Sequence, residues 1–386
     1  MTGRPLSKQG TRRSKLIFVV TEDWYFCSHR LQLAMRAQKA GFDVTVITRE
    51  SQFGDDIRAN GIRLIPLDLH RGKVSALRDM FTVFSLWRIL HRERPDVIHN
   101  VALKPVILGT LAARMARVGS VVNALAGLGY AFTSSDWKAR LLRFIARFAF
   151  RILFQSASVQ VIVQNVVDEE IVRDLGISAE RIKLIAGSGV DLASFRPSPE
   201  PNHPITVAIV SRMLRDKGVG ELVDAARILR QGGYSVVVRL VGPVDPENPS
   251  SISESTLLAW NREGIVEWLG PTSDIAGVWA NAHICVLPSY REGLPKSLLE
   301  AAACGRPIIT TDVPGCRDVV IHNQTGLLIP PRDSKALAEA IVRLAEDADL
   351  RARLGIAARS RVKSHFSIDE IVEQTLAVYR SVRATA

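Results

Sequence analysis

Long apolar runs are missing from this chain of 386 residues. Its apolar stretches are strand-sized and broken by charges, so none offers the ~20 apolar residues a transmembrane helix needs. Residues 1–14 are polar and basic, and the apolar run after them covers only 16–20. A signal peptide is therefore not expected, and we read 1–14 as a flexible basic tail. Cysteine is scarce: Cys27, Cys285, Cys304 and Cys316 show no metal or redox spacing and read as reduced cytosolic thiols. No G-x-G-x-x-G turn follows the first apolar run, which weighs against a dinucleotide oxidoreductase.

The composition that remains, 47% hydrophobic and 23% charged, is that of a soluble globular protein, and the length calls for two domains. Charge is unevenly shared. Residues 1–200 carry 29 Lys and Arg against 18 Asp and Glu, an excess of 11, whereas residues 201–386 carry 21 of each. A one-sided basic field points to an anionic partner: nucleic acid, a membrane surface or a phosphate-bearing substrate. A nucleic-acid binder is the weaker option, because the basic stretch contains no recognisable binding module.

Both halves alternate strand and helix. Short β-branched runs at 15–20, 43–48, 62–67, 96–99, 120–124 and 159–163 predict strands, with helical patterns at 30–40, 74–93, 105–117 and 137–156 between them. The alternation restarts with strands at 205–210, 236–241, 266–269, 284–287, 308–310 and 327–329, and from 334 to about 383 the chain reads as helical. Continuous apolar strands separated by helices predict parallel sheets covered on both faces. The expected fold is α/β, with two doubly wound Rossmann-like domains facing across a cleft. The first spans 15–195, the proline-rich stretch RPSPEPNHP at 196–204 is a linker, the second spans 205–365, and 366–386 is a last helix. Ligands of such sheets sit at the carboxyl ends of strands.

Two strand ends carry chemistry. After 205–210, Arg212 leaves the strand and Lys217 precedes Gly218 at a helix start, a pairing suited to a diphosphate. After 284–287, Glu292-Gly293-Leu294-Pro295 turns into a helix whose first amides, at Gly293 and Leu294, suit a phosphate oxygen. Glu300 follows in an otherwise apolar helix, and a carboxylate there accepts two hydroxyl hydrogen bonds from a sugar diol.

Arg212…Lys217-Gly218, Glu292-Gly293-x-Pro295-x-x-x-x-Glu300-Ala301 and Gly305-x-Pro307 resemble the retaining glycosyltransferases of family 4, which have the GT-B fold. Gly189-Val-Asp191…Phe195-Arg-Pro197 and Gly326-Leu-Leu extend the likeness over nearly the whole chain. The resemblance implies that Arg212 and Lys217 hold the donor diphosphate, Glu300 the ribose, and Glu292 the transferred sugar. It also implies retention of configuration by same-face attack. No Asp-x-Asp metal motif precedes a sugar pocket, and protein cations could stabilise the leaving group, so no metal or other cofactor is expected.

The first half narrows the likeness. Glu22–His29 and Arg30, Leu103-Lys104-Pro105 and Asn123-Ala-Leu-Ala-Gly127-Leu-Gly129 resemble members that extend glycans on polyprenyl-diphosphate carriers for O-antigen and capsule. His99 is assigned that group's sugar-contacting histidine, which many relatives carry two positions later, where this chain has Val101. Where they carry a Gly-Gly loop it has Glu22-Asp23-Trp24. The pattern at 137–156 sets Arg140, Arg143, Arg147 and Arg151 at helical spacing among apolar residues, as an interfacial helix on anionic lipid does. With Lys104 these form the expected acceptor and membrane face, and the enzyme is expected on the cytoplasmic side of the membrane. The alternative is a nucleotide-sugar epimerase of the same architecture.

Overall fold

The computed structural model describes residues 13–69, 75–125, 150, 151, 153, 154, 156 and 158–384. Strands β1 (Ser14–Glu22), β2 (Phe42–Arg49), β3 (Arg63–Pro66), β4 (Val97–Val101), β5 (Ser120–Ala124), β6 (Val159–Val163) and β7 (Ile182–Leu184) form one sheet in the order β3-β2-β1-β4-β5-β6-β7. Strands β8 (Ile205–Val210), β9 (Val236–Val241), β10 (Glu267–Gly270), β11 (Ile284–Leu287), β12 (Ile308–Thr311) and β13 (Leu327–Ile329) form a second, ordered β10-β9-β8-β11-β12-β13.

Every pairing in both sheets is parallel. That follows from strands apolar on both faces: the last seven residues of β1 and all of β4, β5, β11 and β12 are buried, so helices must cover each side. Strand order reverses beside β1 and β4 in one sheet and beside β8 and β11 in the other. These are the switch points where a doubly wound sheet opens a crevice.

The structure differs from the sequence reading in several elements. The helix expected at 30–40 is Leu31–Lys39, and a helix the sequence reading did not expect, Asp23–His29, precedes it with Arg30 at the join. That added helix begins on the strand-end acids Glu22 and Asp23, where no apolar period is visible. Strand β7 and the helix Gly54–Ala59 are too short to carry a period. The continuous helix expected beyond 334 is three, Ser334–Glu346, Ala348–His365 and Ile368–Ala384. Asp347 starts the second by accepting the Leu350 amide at 2.8 Å.

The last helix buries Ile371, Val372, Leu376 and Tyr379 in the same cluster as Phe18, Phe42 and Val97 of the first sheet. The chain thus crosses between halves twice, and Val190 clasps the return by hydrogen bonds with Phe366 and Ile368, both 2.9 Å. No helix among the described residues is long and apolar enough to cross a membrane. Arg140, Arg143 and Arg147 lie outside the described residues, while Arg151 is exposed.

Candidate active site

The cleft between the sheets, about 370 Å³, is lined from the second half by Ser211, Arg212, Lys217, residues 292–297 and Glu300, and from the first by Trp24, Tyr25, Ser28, His29, Gln164 and Ser188. The loop after β8 is short and pinned. Its amides at Ser211 and Met213 bond to the Val241 and Pro243 carbonyls, and a single turn, Arg215–Lys217, ends at Gly218. Gly218 has φ +71° and starts the helix Val219–Gln231. A Cβ there would stand 2.1 Å from the Pro288 carbonyl oxygen, so only glycine lets the two strand-end loops meet.

That contact sets Lys217 Nζ 2.5 Å from Glu292 Oε1. Glu292 also accepts the Ser289 hydroxyl at 2.7 Å. The loop 289–295 is held from several sides. The Tyr290 amide bonds to the Asp216 carbonyl at 2.9 Å, and the Thr311 hydroxyl bonds to the Ser289 carbonyl. From the first half, Asn165 donates to the Gly293 carbonyl at 2.9 Å and the buried Asp168 pairs with Arg291 at 2.8 Å. The loop ends in the helix Lys296–Ala303, whose first residue follows Pro295 with no side-chain cap, and Pro295, Lys296 and Ser297 face the cleft. An uncapped helix start in a cleft presents amides and a positive dipole end to an anion.

Arg212 pairs with Asp245 and lies 5.8 Å from the centroid of the Trp24 ring across the cleft. Glu300, almost wholly buried, pairs with Lys296 at 2.9 Å one turn earlier. Burial raises the Glu300 carboxyl above its ordinary range, opposed by Lys296. The His29 ring stacks on Tyr25 at 4.2 Å. Its pKa is lowered to about 3, first by burial and then by Lys296 and Arg30, so the ring is neutral at pH 7. Among the described residues no group of three or more His, Cys, Asp or Glu side chains is placed to hold a metal ion.

The structure brings together Arg212, Lys217, Glu292, Gly293, Leu294 and Glu300. It does not bring His99 or Lys104 into this cleft. His99 is 1% exposed, stacked on Phe18 and bonded to the Tyr379 hydroxyl, because it pairs with Phe18 inside the sheet and the C-terminal helix covers it. The histidine in the cleft is His29. Lys104 pairs with Asp79 at 2.7 Å on the outer helix layer. The sequence reading also missed Lys296, Asp245 and Gln164. Lys296 had a signal, since it lies four residues before Glu300 on one helix face, and so had Gln164, which directly follows the strand predicted at 159–163; Asp245 comes from a loop with no local pattern.

Residues 15–165 match the family described as "Glycosyl transferase 4-like" and residues 204–347 the one described as "Glycosyl transferases group 1". The N,N'-diacetylbacillosaminyl-diphospho-undecaprenol alpha-1,3-N-acetylgalactosaminyltransferase of Campylobacter jejuni is 31% identical over 356 residues, covering 88% of this chain and 91% of that one. The UDP-Gal:alpha-D-GlcNAc-diphosphoundecaprenol alpha-1,3-galactosyltransferase of Escherichia coli is 26% identical, covering 88% and 89%. Among solved structures, Anabaena HepE in complex with UDP and glucose superposes with a TM-score of 0.77 at 20% identity, covering 95% and 100%. Sucrose-phosphate synthase of Thermosynechococcus elongatus gives 0.78 at 24%, covering 97% and 100%. With both halves matched, and a relative above 30% identity over nearly its whole length, this chain belongs to the group 1, family 4-like glycosyltransferases and has their GT-B fold.

Proposed function

We propose that this glycosyltransferase moves a sugar, with retention of configuration, from a UDP-sugar to a glycan carried on a polyprenyl diphosphate, in surface polysaccharide synthesis. The observation that carries the donor side is the convergence of Arg212, Lys217 and the uncapped helix start at Lys296 on one cleft. A donor diphosphate competes with Glu292 for Lys217 and with Asp245 for Arg212. Once displaced, Glu292 is free to accept hydroxyls of the transferred sugar, while Glu300 receives the ribose diol. As the bond between the anomeric carbon and the diphosphate breaks, the acceptor oxygen bonds to that carbon on the same face. Its proton passes to the departing phosphate oxygen. Arg212, Lys217 and the helix amides stabilise the growing charge, and no metal is required. The acceptor class rests on the names of the C. jejuni and E. coli relatives. Matches to glycosyltransferases on both halves leave the epimerase alternative without support.

Attachment to the cytoplasmic membrane face fits the charge split and an exposed stripe on the helix Ala76–Glu93. Leu77, Met80, Phe81 and Phe84 are exposed at helical spacing, and Arg88, His91 and Arg92 continue the stripe. The test of the donor site is substitution: Arg212→Ala and Lys217→Ala should each lower turnover ~10²–10³-fold, because each removes a preorganised stabiliser. Near-normal turnover in either folded variant refutes the assignment.

A further inference from the structure

The cations of the second half that line the cleft each have a carboxylate: Asp245 for Arg212, Glu292 for Lys217, Glu300 for Lys296. Arg30, at the join of the two helices that follow β1, has none among the described residues. It is 5% exposed. Its Nη1 reaches the His29 carbonyl at 3.5 Å, the limit of a hydrogen bond, and its Nε has no partner. A buried guanidinium with no carboxylate and an unsatisfied Nε is destabilising, so its place in the fold calls for an anion met in function.

A second orphan lies beside it. His99 Nε2 is buried without a partner, while Nδ1 faces the Tyr379 hydroxyl at 2.5 Å. Burial, with Arg30 nearby, holds this ring well below the usual histidine range and therefore neutral. With the tyrosine donating to Nδ1, Nε2 carries the proton and is a donor. Arg30 and His99 line one cavity of about 10 Å³ with Gln164, Gly187 and Thr375. That is room for about one water-sized atom. Gln164 also lines the active cleft, so the cavity adjoins it at the carboxyl end of β6.

We propose that this cavity is the acceptor's anion subsite: one oxygen of the carrier diphosphate seats in it, paired with Arg30 and hydrogen-bonded by His99 Nε2–H and Gln164. The remainder of the diphosphate stays in the cleft beyond Gln164. The identity of the anion rests on the acceptor class proposed above, but the subsite can be tested without turnover. Geranyl diphosphate is titrated calorimetrically into protein saturated with UDP, which occupies the donor clamp, and UDP is titrated alone. Arg30→Met should weaken geranyl diphosphate about 10- to 100-fold, the range for a charge-assisted hydrogen bond, and leave UDP affinity within about threefold. Arg30→Lys should recover part of the loss. The melting temperature of Arg30→Met should be equal or higher, since an apolar chain replaces an uncompensated charge. Should that variant fail to fold, Gln164→Leu, which keeps the guanidinium, should still weaken geranyl diphosphate severalfold. Equal geranyl diphosphate affinity with and without Arg30, no binding to the unaltered protein, or a loss confined to UDP would overturn the proposal. If the diphosphate binds through Arg30 but no carrier-linked glycan is extended, the subsite stands and the acceptor reading fails.

Discussion

Alanine at Gly218 perturbs the donor clamp without touching a charged group. At φ +71° an L-residue carries a penalty of about 1–2 kcal/mol. The new Cβ would lie 2.1 Å from the Pro288 oxygen, where ordinary contact begins at 3.4 Å, so the loop after β11 must retreat by roughly 1.3 Å. That loop carries Glu292, whose carboxylate holds Lys217 at 2.5 Å. Misplacing a positioning group by about 1 Å costs ~10²-fold in rate. The expected result is a hundredfold loss in kcat/KM of that order, read by mass spectrometry of the glycosylated acceptor. Backbone strain lowers the melting temperature by only about 2–4 °C per kcal/mol in a domain of this size. Turnover within threefold of the unaltered protein, in a variant that melts a few degrees lower, would refute the claim that contact between the two loops sets the site.

Activity should survive EDTA, since Arg212, Lys217 and helix amides stabilise the leaving group; complete loss restored by Mg²⁺ or Mn²⁺ would contradict this. The folded pKa of His29 lies below its unfolded value, so the unfolded chain binds the extra proton between about pH 3 and 6.5, and stability falls as pH drops through that window. His29→Gln should flatten the melting temperature against pH there by up to one proton's worth of slope. Replacing Phe81 and Phe84 by Ser, with Arg88 and Arg92 by Gln, should release the protein from anionic vesicles while UDP binding persists. Each basic residue at such a surface contributes about 1 kcal/mol. Pelleting unchanged from the parent would remove that helix from the membrane face, and Gln at Arg140, Arg143, Arg147 and Arg151 tests the basic stretch in the same assay.

The parallel sheets were legible because their strands are apolar on both faces and separated by amphipathic helices, a pattern local in sequence. Their ends shifted by a residue or two because a strand stops where its ladder stops, as at Val97–Val101 against the expected 96–99. Arg212, Lys217 and Glu292 were legible because they sit on strand-to-helix turns, Lys217 and Glu292 with a glycine beside them, and Glu300 because it is a lone acid in an apolar helix. Partners that decide their electrostatics were not. Asp245 comes from the loop after β9, Trp24 from the opposite domain, and the Asp168–Arg291 pair spans both halves. His99 was read as a cleft residue from the family resemblance and because its strand was expected to end at 99, whereas the strand runs on to Val101. What sequence could not show is that the C-terminal helix returns to set Tyr379 against it.

The central claim is sugar transfer to a carrier-linked acceptor, and mass spectrometry tests it most directly. The protein is incubated with UDP-sugars in turn and a polyprenyl-diphosphate-linked sugar, with Lys217→Ala in parallel. The account predicts that, with one donor, the acceptor gains the mass of one sugar residue, that NMR of the product shows the donor's anomeric configuration retained, and that the Lys217→Ala sample gains little. An altered or hydrolysed donor beside an acceptor of unchanged mass, or a product with inverted configuration, would contradict it.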